Sequence, residues 1–493
     1  MNMNSITVGD RRRWLALIVV CFGQLMVMLD STIVNVALPA IQHDLHFTQA
    51  NLTWVVNAYL IAYGSFLLLA GRAGDLIGRK RVFLAGVAVF TVASGLDGLA
   101  VDSTTLIAAR LLQGLGGALS GGVILALIVT GFPKPQERAQ AMSIFMLVVA
   151  GGGSLGLLAG GTLTQLINWH WIFFINLPIG VGTMLLGSWL IEHHEGLGLS
   201  HGVDVAGSLL VSAAMVVGIY AIVTAAEMGW TSAHTLGFGL AAIVLLATFF
   251  VVEARIENPI LPLRILRLRS LTGASAARAL VATGMFTTFF LGALYFQHVK
   301  GYSAFNTGLA FLPSTLALAA LSLGISARLM RSFGPRALLI PGLSTITIAL
   351  LLMATTDQNA GYFPGLFGAY LLFGIGAGMS FMPLTTIMMA EIPAADAGIA
   401  SGVGNVTMQV GGAFGLAALG TISADHTHAL LAQGQSLAGA LAAGYQLGFG
   451  IAAACVATGL VIAVMVLRSP SEAAVRRAVT RPDQEGAEVA EAA

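Results

Sequence analysis

The chain has 493 residues, of which 57% are hydrophobic and only 9% are charged, and its formal net charge is +1. Its mean hydropathy is +0.87. A water-soluble domain cannot bury that much apolar surface, so the composition excludes a soluble protein and predicts one surrounded by lipid.

Apolar windows of about 20 residues, the length that crosses ~30 Å of hydrocarbon, can be placed fourteen times along the chain. The first window follows three arginines that resemble the start of a signal peptide, but it is longer than a signal peptide's apolar region and contains Asp30. We therefore interpret it as a retained helix. The windows lie near residues 14–38, 52–71, 82–101, 104–128, 139–166, 171–191, 204–226, 235–253, 271–297, 307–329, 336–355, 362–389, 398–422 and 441–467.

Positive charges predict the orientation in the membrane. With the N-terminus inside, the outer segments hold only Lys300, and Arg110 and Arg278 lie within windows. All other Lys and Arg residues fall on the inner side. The positive-inside rule therefore predicts a multi-pass protein of the plasma (inner) membrane with both termini cytoplasmic.

The windows group into six helices, a central pair and six more. Two basic turns with a central glycine, around Gly78 and Gly334, form a faint repeat between the two sets of six, as in transporters that rock about a central site. A loop rich in arginine, residues 254–270, either lies along the inner membrane surface or is a solvated linker. The predicted segments are a cytoplasmic N-terminus (1–13), a six-helix bundle (14–191), two linker helices (204–253), the basic loop (254–270), a second six-helix bundle (271–467) and a disordered cytoplasmic tail (468–493).

Arg110 is the only charge in the apolar run from 104 to 132. A charge at membrane depth costs at least about 2.5–3.5 kcal/mol, so we expect it to face the protein interior or a cavity and to have a partner. The best partner is Asp30, because a rise of about 1.5 Å per residue places both groups at similar depth in the outer half of the bilayer. The alternatives are an arginine that reaches the interface, or an ion pair that only fixes helix packing.

Four motifs spread over several windows match one family. They are LDSTIVNVALPAI from Leu29, GRAGDLIGRKRVF from Gly71, LIAARLLQGLGGA from Leu106 and GGSLGLLAGG from Gly152. Together they resemble the major facilitator superfamily, specifically its fourteen-helix drug:proton antiporter branch of the EmrB/QacA type, over about residues 14–467. The resemblance implies an all-α polytopic membrane protein with two six-helix bundles and two central extra transmembrane helices.

The resemblance also implies roles for the motif residues. Asp30, Arg110 and Gln113 would serve proton coupling, because access to water can decide the protonation of a carboxyl group in such a site. The second motif would form a tight turn that controls conformation and binds no substrate, and the alternative is a solvated loop. The residues of this conformational motif are Gly71, Asp75, Gly78, Arg79 and Lys80.

The fourth motif is associated in this family with antiport. Its glycines, at small-xxx-small spacing, let helices pack closely, and packing without directional meaning is the alternative. Leu157 stands where the family has proline, which leaves the direction of transport open. The glycines that match are Gly152, Gly156, Gly160 and Gly161.

The predicted function is a proton-coupled secondary active transporter that exports amphipathic or cationic organic compounds by drug:proton antiport with alternating access. The partners would be that substrate, protons and the lipid bilayer, with an accessory periplasmic adaptor in a double-membrane cell and no nucleic acid. One alternative is a specific metabolite or antibiotic exporter, or an importer, on the same fold. Another is a non-transporting receptor or scaffold. Candidate substrate contacts are Tyr59, Tyr63, Phe286 and Tyr295, because loose selectivity favours aromatic surfaces.

No enzyme, cofactor or metal is predicted. The chain has no phosphate-binding loop of the Gly-x4-Gly-Lys-Ser/Thr kind, so it does not pump with ATP, and it shows no nucleophile with a base. Its two cysteines fall in apolar runs, which excludes a disulfide framework and a thiolate metal site. The spacing of His193, His194 and His201 matches no common set of metal ligands.

Three further charges lie in or near the windows. Arg278, about two turns into the ninth window, either reaches the interface or has a function. Asp97 and Glu227 lie near outer helix ends, where each either attracts cationic substrates or marks a helix terminus.

Overall fold

The computed structural model shows an all-α protein. It describes residues 8–49, 51–132, 134–192, 196, 205–256, 264, 267–392 and 397–467. Within these ranges the chain forms helices joined by short connections, and no β-strand is present there.

Sixteen α-helices and three π-helical turns occur in the described residues. The first nine helices are α1 (Val8–Asp44), α2 (Thr53–Ile77), α3 (Arg79–Gly98), α4 (Ser103–Gly131), α5 (Pro135–Leu166), α6 (Trp171–Phe174), α7 (Asn176–Leu190), α8 (Val205–Met228) and α9 (Ala233–Glu253). The others are α10 (Arg269–Leu294), α11 (Ala304–Ala320), α12 (Ser326–Phe333), α13 (Pro335–Ala354), α14 (Phe367–Met389), α15 (Ala397–Ala432) and α16 (Leu437–Met465). The π-helical turns are Tyr295–Val299, Leu321–Ile325 and Tyr362–Leu366.

Each apolar window coincides with one helix or with consecutive helical segments. The sixth window is divided at Ile175, between α6 and α7, and the tenth changes to π-helical hydrogen bonding between α11 and α12. Hydropathy does not reveal such changes, because they concern backbone hydrogen bonds. Among the described residues, ten helical segments are long and apolar enough to cross a membrane, and four further apolar helices are shorter.

Glycine and aspartate residues set several helix ends. Gly78, between α2 and α3, has φ 102°, and Gly334, between α12 and α13, has φ 84°. Side chains with a Cβ rarely adopt this conformation, so both turns of the sequence repeat depend on glycine. Asp102 caps α4 by accepting a hydrogen bond from the backbone N–H of Thr105 at 2.9 Å. The backbone and hydroxyl hydrogen bonds from Thr105 hold the pKa of Asp102 below its usual range.

The helices pack in two groups. In the first, α2 and α3 lie along α4, and α1 lies along α5 and α7. In the second, α10 packs on α15 and α16, and α13 packs on α14 and α16. The two groups meet where α2 contacts α15 and where α5 contacts α11. Helices α8 and α9 pack on each other, and α8 also contacts α2 and α15 at the junction.

Small residues allow the closest of these approaches. A Cβ at Gly116 of α4 would lie 2.8 Å from the Cα of Phe90 on α3, and one at Gly122 would lie 2.9 Å from the carbonyl oxygen of Leu67 on α2. Helices in lipid associate through such backbone contacts, because the lipid tails are as apolar as the helix surfaces. The close packing of α4 places its central residues inside the first group.

Candidate functional site

A buried ion pair lies in the first helix group. Asp30 on α1 and Arg110 on α4 are 0% and 1% exposed, and Arg110 Nη1 donates to Asp30 Oδ2 at 2.6 Å. Arg110 Nε donates to the backbone oxygen of Val55 on α2 at 2.9 Å. The guanidinium therefore links α1, α2 and α4, and the carboxylate of Asp30 balances its charge.

Three uncharged side chains surround this pair. Gln113, one turn along α4, accepts from Arg110 through Oε1, and its Nε2 donates to Asp30 Oδ1 at 2.9 Å and to Ser94 Oγ at 2.7 Å. Asn176, at the start of α7, donates to the same two oxygens at 3.4 and 3.3 Å. The network thus joins α1, α2, α3, α4 and α7 around a single carboxylate.

Aromatic rings cover the guanidinium. The Cζ atom of Arg110 lies 4.6 Å from the ring centroid of Tyr59 and 5.8 Å from that of Phe173. Such rings attract a cation through their quadrupole, more strongly where water is excluded. Tyr59 is buried and stacks on the partly buried Tyr63, with ring centroids 5.7 Å apart. Tyr59 therefore belongs to the surroundings of the ion pair.

The four candidate substrate contacts differ in exposure. Tyr59 and Tyr295 are buried, and the hydroxyl of Tyr295 donates to the backbone oxygen of Asp357 at 2.7 Å. Tyr63 and Phe286 are partly exposed, and Phe286 lies against Gly412 of α15. Of the four, only Tyr63 and Phe286 have exposed surface in this conformation.

The conformational motif spans the end of α2 and the start of α3. Lys80 Nζ donates to the backbone oxygens of Ser188 and Ile191, each at 2.7 Å. These carbonyls belong to the end of α7, where the helix dipole also stabilises a positive charge. Gly78 makes the turn, Arg79 begins α3, and Gly71 lies on α2 opposite the carbonyl oxygen of Gly122. The side chain of Asp75 lies outside the described part of the structure.

The four glycines of the predicted antiport motif all lie at contacts of α5. Gly152 faces Met28, and Gly156 and Gly160 face α1. A Cβ at Gly161 would lie 2.7 Å from the backbone oxygen of Ala304, at the start of α11. Helix α5 runs unbroken through the buried Leu157. Without the proline, α5 keeps a continuous surface toward both helix groups.

Replacing Gly156 by Ala is expected to destabilise the protein by about 1–3 kcal/mol, because the added methyl group overpacks α5 against α1. A Cβ there would lie 2.8 Å from the backbone oxygen of Leu29. Gly153, on the same helix, provides the matched control, since its Cβ would lie 3.9 Å from Thr32 Cγ2. Thermal unfolding in detergent should show a lower midpoint for Gly156→Ala than for Gly153→Ala. Equal midpoints would contradict the close packing.

Other predicted positions are placed as follows. Arg278 is partly buried on α10, and its Nη2 donates to Asn405 Oδ1 at 3.2 Å. Asp97 is buried in the last turn of α3. The side chain of Glu227 lies outside the described residues, as do His193, His194 and His201, most of the basic loop and the tail after residue 467.

The sequence of residues 20–416 matches the family model described as Major Facilitator Superfamily. The chain belongs to the Major Facilitator Superfamily. It is therefore a multi-pass membrane transporter.

Similar proteins of this superfamily include resistance and export proteins. The puromycin resistance protein pur8 of Streptomyces alboniger is 37% identical over 460 residues, which cover 93% of this chain and 91% of that protein. The cephamycin export protein CmcT of Amycolatopsis lactamdurans is 33% identical, with 84% and 85% covered. The tetracenomycin C resistance and export protein of Streptomyces glaucescens is 34% identical, with 84% and 76% covered.

Solved structures of the Major Facilitator Superfamily fold align along most of the chain. The POT family transporter PepTSo aligns with a TM-score of 0.66 at 14% identity, covering 92% of this chain and 98% of that one. A bacterial homolog of the human lysosomal transporter Spinster, in an inward-facing and occupied conformation, aligns with a TM-score of 0.64 at 16% identity, covering 93% and 99%. At these identities the likeness shows the fold alone.

Sequence reasoning missed three members of the network. Ser94 and Asn176 are uncharged, so the argument that a buried charge needs a partner did not identify them. Phe173 is one of many aromatic residues in the chain. The signal for Asn176 was its place in a conspicuous stretch, NWHWIFFINLPIG, from Asn168 to Gly180. Ser94 had no such signal, since serine is common in membrane helices.

Proposed function

We propose that the protein is a proton-coupled drug efflux transporter of the fourteen-helix drug:proton antiporter branch, the EmrB/QacA type. It exchanges amphipathic or cationic organic compounds for protons by alternating access. The observation that carries the proposal is the fully buried carboxylate of Asp30, held by Arg110 and Gln113. The relatives named for resistance to or export of puromycin, cephamycin and tetracenomycin C support export of organic compounds.

Protonation of Asp30 would change this network. A proton on the carboxyl group removes the counter-ion of Arg110, and an uncompensated buried charge is strongly destabilising. The guanidinium must then find other partners or a more hydrated position, and α1, α2, α4 and α7 all supply groups to the site. Binding or release of one proton can in this way favour one arrangement of the helices over another.

The proposed topology has fourteen transmembrane helices. Ten long apolar segments and the four shorter ones, on α2, α5, α8 and α11, support that number. The units are two bundles, 14–191 and 271–467, with linker helices at 204–253 and both termini on the cytoplasmic side of the plasma (inner) membrane. The packing of the two helix groups, with α8 at their junction and α9 packed on α8, supports this division.

With this orientation, two hydrogen bonds join the outer ends of the two helix groups. Gln297 donates to the backbone oxygen of Val36 at 2.8 Å, and the backbone N–H of Phe305 donates to Gln165 Oε1 at 3.3 Å. Both hydrogen bonds join the first helix group to the second at ends that the positive-inside rule assigns to the outer side. Opening to the outside must break them, and the glycine contacts of α5 with α1 and α11 provide a close-packed surface for the movement.

A specific antibiotic exporter on the same fold is the second candidate. Its support is that three relatives are each named for one compound. Partly exposed aromatic side chains such as Tyr63 and Phe286 suit either a single compound or several. The two candidates share the proton-coupling site and differ in the range of compounds transported.

Everted membrane vesicles containing the wild-type protein test the proposal. An acidic vesicle interior should drive uptake of puromycin and of the cationic dye ethidium, and a protonophore should abolish the uptake. Gradient-driven uptake of puromycin without ethidium would favour the specific exporter. Binding of both compounds without uptake or proton movement would instead indicate a non-transporting receptor or scaffold.

A further inference from the structure

A second acidic side chain lies beside the ion pair. Asp97, in the last turn of α3, is 0% exposed, and neither carboxyl oxygen has a hydrogen-bond partner among the described residues. Both Arg110 and Asp30 are close enough to interact with it electrostatically. The sequence placed it near an outer helix end, where it either attracts cationic substrates or marks the helix terminus, and in this conformation it is buried.

The surroundings of the two carboxyl groups differ in one respect. Asp30 accepts hydrogen bonds from Arg110, Gln113 and Asn176, which stabilise its charged form. Asp97 accepts none from the part of the chain that the structure describes, and a buried carboxylate without donors is far less stable than the neutral acid. One guanidinium balances one negative charge, so the cluster is neutral when Asp30 is ionised and Asp97 carries a proton.

The charged groups that face Asp97 come from α1 and α4. Arg110 is the only titratable residue of α4, and α6 and α7, which also pack against α3, contain none. Helix α2 contributes Tyr59, which lies against Arg110. The segments that precede α4 and α6 carry Asp102 and His170. Within this set, Asp30 is the only other carboxyl group that interacts with both Asp97 and Arg110.

Asp97 also lies between the network and the end of α3. Ser94, which accepts a hydrogen bond from Gln113, is three residues before it on the same helix. At a rise of about 1.5 Å per residue, Asp97 is about 4.5 Å nearer to the helix end than Ser94. That end faces outward in the proposed topology, so a proton from the outer side meets Asp97 before Asp30.

We infer that Asp97 is a second proton-binding site, which receives protons from the outer side and passes them to Asp30. The inference rests on the proposed function. In the transfer, the neutral carboxyl of Asp97 gives its proton to the carboxylate of Asp30, so that Asp97 becomes the carboxylate and Arg110 its counter-ion. Asp97 takes a new proton from the outer side as Asp30 releases its proton to the inner side. Arg110 stays charged throughout, paired with Asp30 before the transfer and with Asp97 after it.

The variant Asp97→Asn tests this inference, because the amide reproduces the neutral acid and cannot carry a proton. In everted vesicles, uptake of puromycin and ethidium driven by the pH gradient should fall about a hundredfold, while exchange of labelled for unlabelled puromycin at equal pH should stay within about twofold of wild type. Asp97→Glu should restore part of the driven uptake with a shifted dependence on the pH of the vesicle interior. Asp102→Asn, an exposed acid replaced by an equally good helix cap, should behave as wild type.

Each outcome separates the inference from the proposed function. A wild-type rate and pH profile in Asp97→Asn would overturn the inference and leave proton-coupled efflux standing. Loss of exchange in both Asp97 variants would show a structural role and also overturn it. Failure of Asp97→Asn to reach the membrane would contradict a neutral Asp97. If the proposed function is wrong, uptake by the wild-type protein will not depend on the pH gradient.

A measurement on the wild-type protein needs no variant. Dicyclohexylcarbodiimide modifies protonated carboxyl groups in apolar surroundings. Mass spectrometry of treated protein at neutral pH should therefore find the adduct on Asp97 and not on Asp30. An unmodified Asp97 would overturn the inference.

Discussion

Replacing Asp30 by Asn is expected to abolish transport driven by the proton gradient. The amide occupies the same space as the carboxyl group but cannot bind and release a proton. Loss of a positioned proton-transferring group lowers a rate by about a hundredfold or more. The change also removes the negative charge 2.6 Å from Arg110, and breaking a buried ion pair from one side costs about 3–5 kcal/mol. Both coupling and stability should therefore suffer.

Two measurements check this expectation. Uptake of puromycin and ethidium into everted vesicles should lose its dependence on the pH gradient, and thermal unfolding in detergent should show a lower midpoint. Asp102→Asn is the matched control, since it removes an exposed acid by the same substitution. Membrane content of each variant is measured by immunoblot to normalise the rates. Gradient-dependent uptake at the wild-type rate in Asp30→Asn would remove Asp30 from the mechanism.

Replacing Arg110 by Lys is expected to have a comparable effect, although the charge is kept. The guanidinium donates through Nε to Val55 and through Nη1 to Asp30 and Gln113. A lysine has one nitrogen and no planar group to lie over the ring of Tyr59, so it cannot make this set of contacts. Loss of a single hydrogen bond to a charged group already costs about 1.5–3 kcal/mol. We expect lower stability and gradient-driven transport reduced by about a hundredfold.

Arg278 provides a control for Arg110→Lys within the same chain. It is also an arginine within a predicted membrane helix, and Asn405 is its hydrogen-bond partner at 3.2 Å. A lysine at this position can still donate one hydrogen bond to that amide. Arg278→Lys should therefore lose much less stability and transport than Arg110→Lys. Equal losses in the two variants would show that the substitution acts through general packing and not through the network around Asp30.

The fold gives the ion pair its isolation from water. Four helices that are distant in sequence supply polar groups to Asp30 or Arg110, while the ring of Tyr59 covers the guanidinium. Small residues on α4 let α2 and α3 approach closely enough to exclude solvent. In such surroundings the gain or loss of one proton changes the electrostatic free energy of the site by a large amount. That change can favour one conformation of the alternating-access cycle over the other.

Much of this protein follows from the sequence alone. The apolar windows coincide with helical segments because the hydropathy of a membrane helix is a local property of about 20 consecutive residues. Counting residues placed Asp30 and Arg110 at the same depth, because the rise of a helix is constant and a buried charge requires a partner. Gly78 and Gly334 indicated turns for an equally local reason, because glycine readily adopts the positive φ that both turns have.

Only the tertiary structure decided which side chains surround the pair. Ser94 and Asn176 are ordinary polar residues in the sequence, and they join the network because α3 and α7 pack beside α4 and α1. The sequence indicates only that Asp97 lies near a helix end, whereas in the structure neighbouring helices bury it. The contacts of α2 with α15 and of α5 with α11 likewise join residues far apart in sequence. The reason is that hydropathy and helix geometry are set by near neighbours, whereas burial and hydrogen bonding depend on which distant helices pack together.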